Sequence, residues 1–316
     1  MNNNPLFLSV IVPNYNHAPF LTKRIDSILN QTFQDFELII LDDCSTDTSK
    51  VIIEQYRNHP KVSTIIYNEI NSGSTFKQWQ KGIAQAKADY IWIAESDDVS
   101  HVEFATELIA ALKSDENVVL AYSRSININR EGDIVGLNKW ADGLDVTRWQ
   151  TDYKNNGISE ISDYLIYRNF IPNASAVIFK KNCFLQINPA IYMSMKYAGD
   201  WLIWGNIIAQ GNIVFVAKPY NYFRSHGVTT RSVKSLEGEF NRVKEYFFVI
   251  DLFMRVFKIK DFKLLKHKWI VEEWVHDKRY LFKHNFIKYL FPPLKPQYFF
   301  MLYTELFKVI TSKIKK

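Results

Sequence analysis

Glycine is scarce and late in this chain: there are 11 among 316 residues, and the first is Gly73. A dinucleotide-binding G-x-G-x-x-G turn has to follow the first strand, where only glycine lets backbone N–H groups close on a pyrophosphate. That class is excluded. A P-loop NTPase is excluded too, because no G-x-x-x-x-G-K-[ST] occurs. The sequence also lacks a G-x-S-x-G elbow and an H-E-x-x-H zinc helix. Cysteine is nearly absent: Cys44 and Cys183 are far apart and share no metal-ligand spacing. This argues against a disulfide framework and for a reducing compartment. No stretch reaches about 18 apolar residues without a charge. The first apolar run, Leu6 to Val12, ends at Pro13-Asn14 and makes a poor signal peptide. A cytoplasmic protein is expected.

What is present is ordinary globular material, 47% hydrophobic and 23% charged, which excludes a disordered, collagen-like or coiled-coil chain. The net charge of +6 raises nucleic acid or an anionic membrane as partners. Along the first 125 residues, short β-branched runs alternate with amphipathic segments. Strands are predicted at Leu6–Val12, Phe36–Leu41, Val62–Tyr67, Tyr90–Ala94 and Val118–Tyr122. Helices are predicted between them, near 46–56, 75–87 and 102–113 among others. Such alternation specifies a parallel α/β sheet with right-handed crossovers. Residues 127–156 read as a long surface loop, 200–210 as a helix, and 213–216 and 219–224 as strands. After about residue 232, long stretches rich in Phe, Tyr, Leu and Lys read as amphipathic helices.

Ligands of parallel α/β sheets bind beyond the carboxyl ends of the strands. Three polar clusters fall at such ends: Pro13 to Asn16, Asp42 to Ser45, and Glu95 to Asp98. Without a phosphate loop, a nucleotide would be held by carboxylates acting through a divalent metal. Glu95-Ser96-Asp97-Asp98 suits that role, since Mg²⁺ and Mn²⁺ take oxygen ligands and commonly use one or two carboxylates plus substrate phosphates. The competing reading is an Asp-rich turn capping the following helix.

With these residues in view, the chain resembles a family 2 glycosyltransferase of the GT-A fold, of the bacterial surface-polysaccharide type. The resemblance rests on Ser9 to Ser49 (SVIVPNYNHAPFLTKRIDSILNQTFQDFELIILDDCSTDTS), on Asn71-Ser72-Gly73, and on Tyr90 to Asp98 (YIWIAESDD). It is close over about the first 125 residues and looser to about 232. It implies a GT-A catalytic domain over 1–232, with a nucleotide-sugar half (1–125) and an acceptor half (126–232), followed by a basic aromatic helical region over 233–316. It further implies an inverting transferase, dependent on Mn²⁺ or Mg²⁺. The donor would be a nucleoside-diphosphate sugar, with UDP favoured, and the acceptor a glycan or a lipid-linked molecule.

The resemblance also assigns roles. Pro13, Tyr15, Asp42 and Asp43 would hold the nucleoside, Tyr15 by stacking and Asp43 by accepting a base N–H. Asp42 has a second reading as a helix cap. The D-x-D-D pattern falls on Glu95, Ser96, Asp97 and Asp98, with Asp97 and Asp98 as metal ligands and Glu95 departing from the usual Asp. Gly73 belongs to an altered family segment in which Lys77 is either a contact to the nucleotide or a solvated helix residue. The general base falls on Asp200, where Gly199 stands in place of the usual acidic partner. His226 would contact metal or phosphate, assisted by Arg224 or Arg231. Asn173 to Ala176 either line the acceptor pocket or enter a strand, and Trp201 and Trp204 either stack on sugar or belong to the core.

Two other functions were weighed. A non-catalytic sugar-nucleotide or glycan-binding module has no need of Asp97, Asp98 and Asp200 together. Nucleic-acid binding finds no Lys/Arg-and-aromatic stripe in the first 100 residues. The charge itself is lopsided: residues 234–316 carry 18 Lys/Arg against 9 Asp/Glu, so the rest of the chain is net negative. That tail is expected to dock at an anionic membrane surface, with a packed helical appendage or an oligomer interface as the alternative.

Overall fold

The computed structural model describes residues 6–225, 235–259, 263–276 and 296–314. Ten strands form one mixed sheet. The first four, β1 (Leu8–Asn14), β2 (Phe36–Asp42), β3 (Val62–Tyr67) and β4 (Tyr90–Ile93), are parallel and lie in the order β3-β2-β1-β4. Helices α1 (Ala18–Leu29), α2 (Ser49–Gln55) and α3 (Thr75–Gln85) make the crossovers. The chain steps outward from β1 to β3 and then returns to the other side of β1. Topology therefore reverses between β1 and β4, and a crevice opens there at the carboxyl ends.

Strict alternation along these strands explains why both faces are buried. Ile11, Ile39, Leu41, Ile91 and Ile93 enter one core, and Val10, Val12, Leu38, Ile40 and Trp92 enter the other. The two-residue strand β5 (Val99–Ser100) leads to α4 (Phe104–Lys113). Next come β6 (Val118–Ile128), β7 (Ile134–Leu137), β8 (Tyr153–Asn156), the one-turn helix α5 (Gly157–Glu160) and β9 (Val177–Lys180), which runs antiparallel between β4 and β6. Segments α6 (Lys181–Leu185), α7 (Pro189–Tyr192) and α8 (Gly199–Ile208) cover one face and precede β10 (Asn212–Arg224).

Three expectations change here. The loop expected over 127–156 contains β7 and β8, which pair with β6 and β10. The strands expected at 213–216 and 219–224 are one strand, irregular on both sides of Pro219, which has no N–H to give the ladder. The C-terminal helices, assigned to a region apart from the catalytic domain, share its main core. Val243, Phe247, Val249, Ile250 and Phe253 of α9 (Leu236–Val256) are buried in the same cluster as Trp201 and Trp204 of α8. Ile270 and Val271 of α10 (Lys268–His276) and Tyr298 and Leu302 of the helix Pro296–Ile314 join them.

Candidate active site

At the end of β1, Asn14 donates from Nδ2 to Asp42 Oδ2 (2.8 Å) and to Ser45 Oγ (3.2 Å), while Asp42 Oδ1 accepts the Ser45 N–H (2.9 Å). Asp42 is buried and its carboxylate holds two strand ends together; it does not cap α2, whose N-cap is Thr48. Pro13 lies buried within β1, opposite Leu41. Asn16 adopts φ +55°, a left-handed backbone that Asn tolerates, and its Oδ1 accepts the N–H groups of Thr46 (2.8 Å) and Asp47 (3.3 Å). These bonds brace the turn from which Tyr15 projects, 46% exposed, at the crevice mouth.

Asp43 sits in a cage of donors. Its Oδ1 accepts Asn68 Nδ2 (2.6 Å), the Ser72 N–H (2.8 Å) and Gln78 Nε2 (3.0 Å), and its Oδ2 accepts the Ser72 hydroxyl (2.7 Å). Gly73, at φ +69°, makes the turn that carries Ser72 to this carboxylate. Lys77 donates to the Ser72 carbonyl (3.1 Å) and is exposed, so it staples the same turn. Asn68, Ser72 and Gln78 were missed from sequence. Asn71-Ser72-Gly73 was conspicuous there, but spacing along the chain does not reveal what a serine turned by Gly73 will touch.

Across the switch point, His17 Nδ1 and Ser96 Oγ share a hydrogen bond of 2.8 Å, joining the turn after β1 to the acidic loop after β4. Glu95 Oε1 accepts the Trp79 indole N–H (2.8 Å), and the Glu95 N–H is bound by Ser175 Oγ (3.1 Å). Burial, reinforced by the charge of Asp97, pushes the Glu95 carboxyl up to about 8. Burial and Asp97 also raise Asp98. The nearest buried cation, Arg24, is itself lowered to about 10 by desolvation, against the pull of Asp98, Asp97 and Glu95.

Two of the expected donor contacts turn inward. Asp98 is 1% exposed and its Oδ1 accepts the Arg224 N–H (2.8 Å). Arg224 is buried as well: its Nε donates to the Asp97 carbonyl (2.6 Å) and its Nη1 to the carbonyls of Asn129 and Arg130 (2.9 Å each). Nε and Nη1 of its guanidinium thus bond backbone, which makes Arg224 a strut under the acidic loop. Half-buried Asp97 and Glu95 are the more accessible carboxylates. His226 and Arg231 lie outside the described residues.

Among the described residues no three His, Cys, Asp or Glu side chains converge as a closed metal site. The hard oxygen donors of the Glu95 to Asp98 loop nevertheless fit a divalent cation whose remaining ligands would come from a substrate diphosphate.

Asp200 stands in the first turn of α8. Its Oδ1 accepts the Trp201 N–H (2.7 Å) and its Oδ2 accepts Asn169 Nδ2 (3.1 Å). The glycine before it has a cause: a Cβ on Gly199 would lie 2.6 Å from the Phe76 ring. Phe76 packs edge-on to Trp79 (5.2 Å), and Trp79 holds Glu95, so one run of contacts joins the Asp200 turn to the acidic loop. Trp201 and Trp204 are core residues, 1% and 0% exposed, and do not face a sugar. Asn173 and Ser175 are buried too and bond Ser125, Asn221 and the Glu95 amide, so this segment supports the site from beneath.

The model of glycosyl transferase family 2 matches residues 9–169, which is half the chain and contains β1 to β4 with their polar ends. The chain belongs to glycosyl transferase family 2. An uncharacterized glycosyltransferase of Haemophilus influenzae is 26% identical over 238 residues, 75% of this chain and 71% of that one. The Staphylococcus aureus poly(ribitol-phosphate) β-N-acetylglucosaminyltransferase TarS is 35% identical over 116 residues, covering 35% of this chain and only 20% of that protein. Its residues 1–349 in complex with UDP-GlcNAc share the fold, with a TM-score of 0.63 over 95% of this chain and 79% of that one at 20% identity. So does a Pyrobaculum calidifontis mannosyltransferase in complex with GDP-Man and Mn²⁺, with a TM-score of 0.56, 13% identity and coverage of 98% and 76%. This family 2 glycosyltransferase therefore has the GT-A fold.

Proposed function

We propose that this glycosyltransferase inverts configuration as it moves a sugar from a nucleoside-diphosphate sugar, with UDP as the favoured nucleotide, to a hydroxyl of a glycan or lipid-linked acceptor in surface-polysaccharide synthesis. The observation that carries the reading is the packing of the Asp200 turn, through Gly199, Phe76 and Trp79, against the acidic loop at the switch point. One run of contacts thus links the proposed base to the acidic loop. The complexes of TarS with UDP-GlcNAc and of the mannosyltransferase with GDP-Man and Mn²⁺ support the donor class and the metal.

Tyr15 stacks on the base, and Asp43, held by Asn68, Ser72 and Gln78, accepts a base N–H through a lone pair its cage leaves open. A divalent cation, Mn²⁺ or Mg²⁺, held by Asp97 with Glu95, supplies charge neutralisation for the leaving diphosphate. The acceptor oxygen attacks the anomeric carbon from the face opposite the diphosphate. The bond from that carbon to the diphosphate oxygen breaks and its electron pair leaves with the nucleotide. The hydroxyl proton passes to a carboxylate oxygen of Asp200. Asn169 and the Trp201 amide fix the orientation of that carboxylate.

The test is a donor screen. Purified protein with Mn²⁺ is offered a panel of nucleotide sugars and release of the nucleoside diphosphate is followed. One donor class should be turned over, and EDTA should stop it. No release from any donor, with and without glycan acceptors, would contradict the reading.

A cytoplasmic site of action at the membrane face is part of the same proposal. Among the described residues no helix is long and apolar enough to cross a membrane. The helix Pro296–Ile314 instead buries Tyr298, Leu302 and Leu306 on one face and exposes Phe300 (81%), Tyr303 (46%) and Phe307 (67%) on the other. An aromatic stripe within the +9 region of 234–316 suits an anionic lipid surface.

A further inference from the structure

Helix α8 begins without a cap of its own. Its N-cap residue is Ala198, which has no side chain to accept an amide, and Asp200 takes the N–H of Trp201 further along the first turn. The acceptor for the amides before it comes from α9. Glu245 Oε1 takes the Lys196 N–H (2.9 Å), and Oε2 takes those of Tyr197 (2.7 Å) and Ala198 (2.9 Å). Three successive amides thus converge on one carboxylate that lies 47 to 49 positions later in the chain. The contact ends two residues before Asp200. Its negative charge also sits at the positive end of α8, where an anion is stabilising.

We infer that Glu245 is a positioning residue for the reaction, and that through it the C-terminal helical region is a working part of the catalytic unit. This rests on the proposed role of Asp200. The loop from Met193 to Ala198 joins α7 to α8 and has no regular hydrogen-bonded structure. Its end is held from one side by Glu245 and from the other by Phe76 against Gly199. Asn169 then sets the carboxylate itself. Removing Glu245 frees the backbone of 196–198, and the first turn of α8 can fray. A displacement of about 1 Å in a base can cost on the order of a hundredfold in rate. Donor affinity should not follow, because the donor residues stand on β1, β2 and β4, which Glu245 does not touch.

The experiment compares Glu245→Ala with the full-length wild type and with Val249→Ala. The second variant removes buried side chain from the same helix and leaves the carboxylate in place. Amide hydrogen exchange in the 196–200 segment should be about tenfold or more faster in Glu245→Ala, and unchanged in Val249→Ala at equal loss of melting temperature. Transfer should show kcat lowered by about ten- to a hundredfold in Glu245→Ala, with the nucleotide Kd within twofold of wild type. Glu245→Gln, which keeps one accepting oxygen, should fall between them. Unchanged exchange at 196–200 would overturn the inference, and so would a kcat loss no greater than that of Val249→Ala. The exchange measurement needs no turnover, so its failure is distinct from failure of the transferase reading, which would show as an inactive wild type.

Discussion

A carboxylate, a guanidinium or an imidazole is defined by what surrounds it, and His267 shows how far that can go. It is fully buried, with Nε2–H donating to the Ile166 carbonyl (2.9 Å) and its ring against Tyr167 and Tyr298. Desolvation lowers its pKa to about 4 from 6.5, with the Ile166 bond pulling the other way. The folded state therefore keeps this ring neutral where the unfolded chain would protonate it. The stabilisation is complete above about pH 6.5 and is lost as pH falls toward 4, by up to roughly 3 kcal/mol. Urea unfolding of wild type and His267→Gln across pH 4 to 7 should show the wild type losing stability relative to the variant on acidification; parallel profiles would contradict this. The same dependence on surroundings decides what sequence could say about the site. Tyr15, Asp43 and Asp97 could be marked as candidates because three polar clusters follow buried strands on one edge of the sheet. Arg224 could not be read: a guanidinium beside an acidic loop looks like a phosphate contact until its donors are seen on the carbonyls of Asp97, Asn129 and Arg130. Trp201 and Trp204 had two readings at the same spacing, and only burial separates them.

Among the elements, the parallel half was legible because β1, β2 and β4 are buried on both faces and so appear as unbroken apolar runs. Strands β5, β7 and β8 are two to four residues long and partly exposed, too short to show a period. They exist because β6 and β10 offer them edges. Arg224, the last residue of β10, ties that strand to the acidic loop and to the turn between β6 and β7. Replacing it with Met should orphan three carbonyls at once and destabilise the fold by roughly 2–4 kcal/mol. Lys should rescue little, since one ammonium lacks the fork that reaches all three. Thermal unfolding of Arg224→Met and Arg224→Lys checks this. A near-wild-type midpoint in either variant, with loss of donor affinity alone, would return Arg224 to the donor site.

At the scale of the whole molecule, the basic C-terminal region changes meaning. From sequence it was a basic tail expected to dock at an anionic membrane surface. In the structure α9 and its neighbours complete the core around α8, so deletion from residue 234 would expose that core and say nothing about membranes. Periodicity marked these segments as amphipathic helices but could not show which apolar face meets the protein and which stays outside. The informative change is on the exposed face. Phe300→Asp with Phe307→Asp should leave the melting temperature near wild type and abolish co-sedimentation with phosphatidylglycerol vesicles, while phosphatidylcholine vesicles bind neither protein. Retained binding to the anionic vesicles would contradict the lipid surface as partner.

Donor crevice, base and C-terminal helices converge on one carboxylate, and the most direct measurement is made there. Asp200→Asn keeps an oxygen for the Trp201 amide but removes the carboxylate proposed to take the acceptor proton. With the productive donor and acceptor in hand, sugar transfer should fall by about a hundred- to ten-thousandfold. Binding of the nucleoside diphosphate, measured by calorimetry with Mn²⁺, should stay within twofold of wild type. Transfer that survives at the wild-type rate in Asp200→Asn would remove Asp200 as the base and with it the mechanism drawn from this site.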